Sequence, residues 1–139
     1  MARRIVLVAR RQLAHPEERI ARVLLAAPLR LVEALPWLIL NFPEMDWDLV
    51  IKTAKVSDAQ NRLGFLIALA GEKAGKSNLP AKAQTFKDLL AKLEGSRLYG
   101  EDSFRRKTLT KTEASWLKKN RPPLAKHWRV LSDLTAEHT

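Results

Sequence analysis

The side chains capable of acid–base or metal chemistry are few and scattered. Three histidines, His15, His127 and His138, stand too far apart for the i, i+4 pair that holds zinc on one helix face. His15 precedes Pro16 and reads as a helix-start residue, while His127 lies among Lys126, Trp128 and Arg129, where a surface role and a binding contact are both open. Glu44, Asp46 and Asp48 gather carboxylates, but Asp46 and Asp48 would point to different faces of a helix, and a helix start accounts for the group. No Ser/His/Asp order suggests a catalytic triad. With no cysteine there is no thiol nucleophile, no thiolate metal site and no disulfide. Residues 71–77 end like a phosphate-binding loop, but Ala70 stands where its first glycine belongs, and the run follows a helix instead of a strand. The chain therefore reads as no enzyme, with no cofactor and no metal.

What remains is charge, and it is unevenly placed. The 139 residues carry 25 Lys+Arg against 15 Asp+Glu. Arg3, Arg4, Arg10 and Arg11 give the first 16 residues +4, and residues 17–104 are neutral, with twelve charges of each sign. Residues 105–129 hold Arg105, Arg106, Lys107, Lys111, Lys118, Lys119, Arg121, Lys126 and Arg129 against Glu113, a net +8. A field so concentrated attracts nucleic acid, and these nine residues with His127 are the candidate contacts. Trp37, Trp47, Trp116 and Trp128 could stack on bases, although each stands at a helical-period position among aliphatic residues, which favours packing.

A neutral body must hold these basic ends, and its punctuation is helical. Pro16-Glu17-Glu18 opens a helix through Ile20, Val23, Leu24 and Ala27. Pro28 opens another with Leu31, Val32 and Leu35, which Pro36 should break or kink. Asp46 caps a short helix carrying Trp47, Val50, Ile51 and Ala54. Ser57-Asp58-Ala59-Gln60 reads as a capping box for a helix that buries Leu63, Leu66, Ile67 and Ala70 and frays by Gly71 or Gly75. Pro80 starts a helix with Phe86, Leu89, Leu90 and Leu93, which Gly95 stops. Residues 96–109 show no period and read as a loop. Thr110 to Glu113 is a second capping box, opening a helix to about Asn120; Arg121-Pro122-Pro123 breaks it before a last helix with Leu124, His127, Trp128 and Leu131. Residues 4–9 could form a lone strand, without a partner.

The fold class is thus all-α, a compact single-domain bundle of six or seven short helices. It divides into a basic arm (1–15), a charge-balanced body (16–95), a loop (96–109), a basic helix pair (110–131) and a tail (132–139). The helix pair has the length of a helix-turn-helix whose second helix offers Lys126, His127 and Arg129. The alternative is that Trp116, Leu117, Leu124, Trp128 and Leu131 pack on the body while the lysines are solvated. No apolar run approaches the roughly 20 residues that span a bilayer, and a cytoplasmic location is the expectation.

The helix after Pro16, the one after Asp46, and Asn61-Arg62-Leu63-Gly64-Phe65-Leu66 together resemble the helical C-terminal region of AbiEi-family antitoxins, regulators of type IV toxin–antitoxin modules. The resemblance covers residues 16–70. It implies a transcriptional regulator that opposes a nucleotidyltransferase-type toxin, although the DNA-binding winged helix of that family has no room before residue 16. It also implies that Gly64 permits close helix approach beside Leu63 and Phe65, while Arg62 stays on the polar side. Residues 105–129 have no counterpart in the family. The function expected is a non-catalytic regulatory protein that binds a toxin-like protein partner, and nucleic acid through residues 105–129. A stand-alone DNA- or RNA-binding protein is the alternative.

Overall fold

A computed structural model describes residues 29–41, 46–104 and 109–136. The helices expected over 16–27 and the strand over 4–9 lie outside them. Six helices follow in order: α1 (Leu29–Asn41), α2 (Trp47–Val56), α3 (Gln60–Lys76), α4 (Pro80–Glu94), α5 (Lys111–Asn120) and α6 (Pro123–His127). The fold is all-α. The extended pairing among the described residues is a single parallel bridge between Asp102 and Val130.

The architecture is organised around α3. Every residue from Gln60 to Ala70 is buried, so this helix is a central rod and not an amphipathic surface helix. The helices α1, α2, α4 and α6 pack on it. Each supplies an apolar face: Leu38 and Ile39 from α1, Trp47, Val50, Ile51 and Ala54 from α2, Phe86, Leu89 and Leu93 from α4. The Trp47 and Phe86 rings meet edge to face at 6.4 Å, tying α2 to α4.

Two expected helix boundaries hold through their caps. Asp46 accepts from the Leu49 N–H at 3.1 Å to open α2, and Thr110 accepts from the Glu113 N–H at 3.1 Å to open α5. Others differ. Helix α1 runs through Pro36 unbroken; the proline leaves one carbonyl in the preceding turn without its helical donor, and the helix continues past it. Ser57 does not cap α3: it closes α2, and the Gln60 side chain donates to the Ser96 carbonyl at 3.2 Å instead of reaching back. Helix α3 also passes Gly71 and Gly75 to end at Lys76.

The same stop is used three times. Asp58, Asn78 and Arg129 take left-handed backbone (φ 54°, 56° and 56°). Just beyond each, the next N–H reaches back five residues: Ala59 to Ala54, Leu79 to Ala74 and Val130 to Ala125, at 2.8–2.9 Å. Aspartate and asparagine tolerate this region; an arginine does so at a cost of roughly 1–2 kcal/mol that its surroundings must offset.

Candidate nucleic-acid interface

Helix α5 buries none of its residues. Its inner side is half-buried at Glu113, Ala114 and Leu117, whereas Lys111, Ser115, Lys118 and Lys119 are exposed. At 3.6 residues per turn these four share the outer face, with Lys111 and Lys118 two turns apart on one line. Trp116 stands at the edge of that face, 56% exposed. Beneath it, Trp116, Leu117, Phe104 and Leu131 line a groove of about 420 Å³ between α5 and the segments around Phe104 and Leu131. Lys126 is exposed on α6, and none of the four lysines pairs with a carboxylate among the described residues.

The other expected contacts are engaged with the protein itself. Arg121 grips Glu101 with both guanidinium arms, the second at 3.2 Å. His127 Nε2 lies 2.6 Å from Glu94, and its ring meets Trp128 edge to face at 5.4 Å. Arg129 donates to the Tyr99 carbonyl at 2.8 Å, and its guanidinium sits 5.0 Å from the centre of the Tyr99 ring. Arg105, Arg106 and Lys107 lie outside the described residues. The helix-turn-helix outline is not reached, because α6 ends after five residues and Trp128 and Leu131 fall beyond it. Trp128 is buried, as packing requires, whereas Trp116 is not.

Glu101 is the acid at the centre of this surface. Its hydrogen bond from Arg121 holds the carboxyl below its usual value near 4.5; partial burial opposes this, and the charges of Arg121, Lys118 and Arg129 add to it. A carboxylate depressed on folding stabilises the fold above its unfolded pKa and loses that contribution as pH falls through the lower folded value. Glu101→Gln should therefore weaken the dependence of Tm on pH between about 5 and 3. Superimposable Tm–pH curves for the two proteins would rule out this role for the pair.

What places Arg129 and Tyr99 is a second acid. Asp102 is buried and receives the Arg62 Nε at 2.9 Å, with both side chains 4% exposed. Arg62 is thus on the buried side of α3, contrary to the polar-side position that the resemblance implies. The reason is that α3 has no polar side at this level, and Asp102 supplies the charge that makes burial tolerable. The Asp102 N–H donates to the Arg129 carbonyl at 2.8 Å and its own carbonyl accepts from Leu131 at 2.7 Å, forming the bridge. Asn61 fixes the same loop from both directions, donating to the Leu98 carbonyl at 3.0 Å and accepting from the Leu98 N–H at 2.9 Å. Leu63 and Phe65 are fully buried, and Gly64 lies against the Trp128 ring, a side chain beyond the end of α6 and not a neighbouring helix.

Sequence reasoning passed over Tyr99, Glu101 and Asp102, because residues 96–109 have no period. The available signal was electrostatic: Glu101 and Asp102 are the only acids between Glu94 and Glu113, directly before the basic segment. Among the described residues no helix is long and apolar enough to cross a membrane, and no group of three potential ligands could hold a metal. The chain matches no protein-family model, no curated protein and no solved structure.

Proposed function

We propose that this chain is a non-catalytic regulatory protein that binds nucleic acid through the outer face of α5 and the neighbouring Lys126. The observation that carries this reading is the placement of Lys111, Lys118 and Lys119 on one exposed helix face, with no ion pair to a carboxylate among the described residues. Lysines so placed are positioned to meet phosphates and displace condensed counterions. Binding should weaken with salt by about 0.7–0.9 log units per log unit of salt for each phosphate met. Replacing Lys111, Lys118, Lys119 and Lys126 by alanine should then flatten the slope by about three units, measured by anisotropy across a salt series. A slope unchanged by the four replacements rejects the assignment.

The resemblance to antitoxins adds a protein partner bound by the helical body. Leu49 and Val56, 46% and 79% exposed and two turns apart on the outer face of α2, are the apolar side chains such a contact would cover. Co-expression with a nucleotidyltransferase-type toxin should restore growth. Failure to restore growth would reject this half of the proposal.

A further inference from the structure

Tyr99, the only tyrosine of the chain, is 89% exposed, the most open large apolar residue among those described. An aromatic ring in a loop gains nothing from water, and this one is not left loose. Arg129 sets its guanidinium 5.0 Å over one face and holds the Tyr99 backbone through the carbonyl. Arg129 is itself held in left-handed backbone, between the bridge to Asp102 and the stop after α6. Asp102 is anchored in turn by Arg62 from the central helix. The ring is therefore mounted, with one face backed by a cation and the other open to solvent.

Its surroundings are those of a backbone track. Arg121, the residue that closes α5, bonds Glu101 two residues beyond Tyr99, so the C-terminal end of α5 is tied to the loop that carries this ring. Arg121 is occupied by Glu101, while Lys118, one turn before it on α5, is exposed to solvent. A π-face on a loop tied to a helix of exposed lysines fits an unpaired base followed by its phosphates. Paired bases present no free face to such a ring.

We infer that Tyr99, backed by Arg129, is a stacking platform for one base of a single-stranded nucleic acid whose phosphates run along Lys118 and the α5 face. The inference rests on the proposed nucleic-acid binding and narrows its ligand from nucleic acid at large to unpaired strands. Stacking alone does not separate DNA from RNA, so both enter the test.

Anisotropy titrations of the full chain with a short oligothymidylate, an oligouridylate and a DNA duplex of equal length test it. Tyr99→Ala should weaken binding of the oligothymidylate or the oligouridylate, or both, by about tenfold and leave duplex binding and the salt slope unchanged; Tyr99→Phe should retain affinity. The ring is exposed, so the variant keeps its core, which far-ultraviolet circular dichroism checks. Single-strand affinity within about twofold of wild type in Tyr99→Ala overturns the platform. So does equal weakening on duplex. If the four-lysine variant nevertheless loses its salt dependence, the basic face stands without the platform; if the wild type binds none of the three ligands, both readings fall.

Discussion

Asp102→Ala is expected to lower stability by about 3–5 kcal/mol, because it strands the Arg62 guanidinium in the core. Native domains hold only about 5–15 kcal/mol in total, so the change takes up a large part of the margin. A drop in Tm of about 10 °C or more should accompany it. Two features set the size. Both side chains are 4% exposed, so water cannot replace the lost partner. Asp102 also bonds the Ser103 N–H at 2.8 Å through its other carboxylate oxygen, and that contact is lost as well. The pair owes its effect to desolvation, which gives a second and opposite expectation. Replacing both partners by apolar residues of similar volume, Arg62→Met with Asp102→Leu, should recover much of the loss. If the single and double variants melt together, the ion pair is not what Asp102 contributes.

Gly64→Ala should destabilise by up to about 2 kcal/mol although alanine is the better helix former. The propensity gain is worth about 1 kcal/mol. Against it, a Cβ at this position would overlap the Trp128 indole at Cε3 and Cζ3 and lie 2.8 Å from Cδ2. Trp128 is 2% exposed and cannot swing away, so overpacking of about 1–3 kcal/mol prevails. The sign should reverse once the indole is gone. In a Trp128→Ala background, itself costing about 3–5 kcal/mol, Gly64→Ala should become neutral or stabilising. Denaturant midpoints of the four proteins close the cycle. Equal effects in both backgrounds would mean that the indole does not set the glycine requirement.

These two sites show what the sequence could disclose. Helices written by local chemistry were legible: Asp46, Thr110, Pro80 and Gly95 act on their own neighbours, and α2, α4 and α5 begin or end where those residues stand. The buried faces of α2 and α4 followed from their period. Residues 57–60 misled because Ser-Asp serves equally well to stop one helix or to start the next. The left-handed Asp58, not the serine, decides between them. Pro36 misled because a proline removes one hydrogen bond, a cost that packing around Leu35, Leu38 and Ile39 offsets. Arg62 could not be placed without Asp102, forty residues away, since an arginine is buried only when a partner meets it. Of the candidate site, the lysines of α5 were legible from composition. Tyr99 was not, because its mounting depends on Arg129 and Asp102 meeting across a loop without periodicity.

Central placement of α3 also bears on how the protein is made. Its apolar surround is completed by Ala125, Trp128, Val130, Leu134 and Ala136, so the stretch expected as a tail is core as far as Ala136. During synthesis α3 and α4 emerge well before those residues. The growing chain thus presents an unfinished rod, one side of it apolar and uncovered, until residues 128–136 have left the ribosome. Chaperone dependence should accordingly be greatest for released chains truncated after Asn120, which keep α1 to α5 while the rod lacks the cover that Ala125 to Ala136 supply.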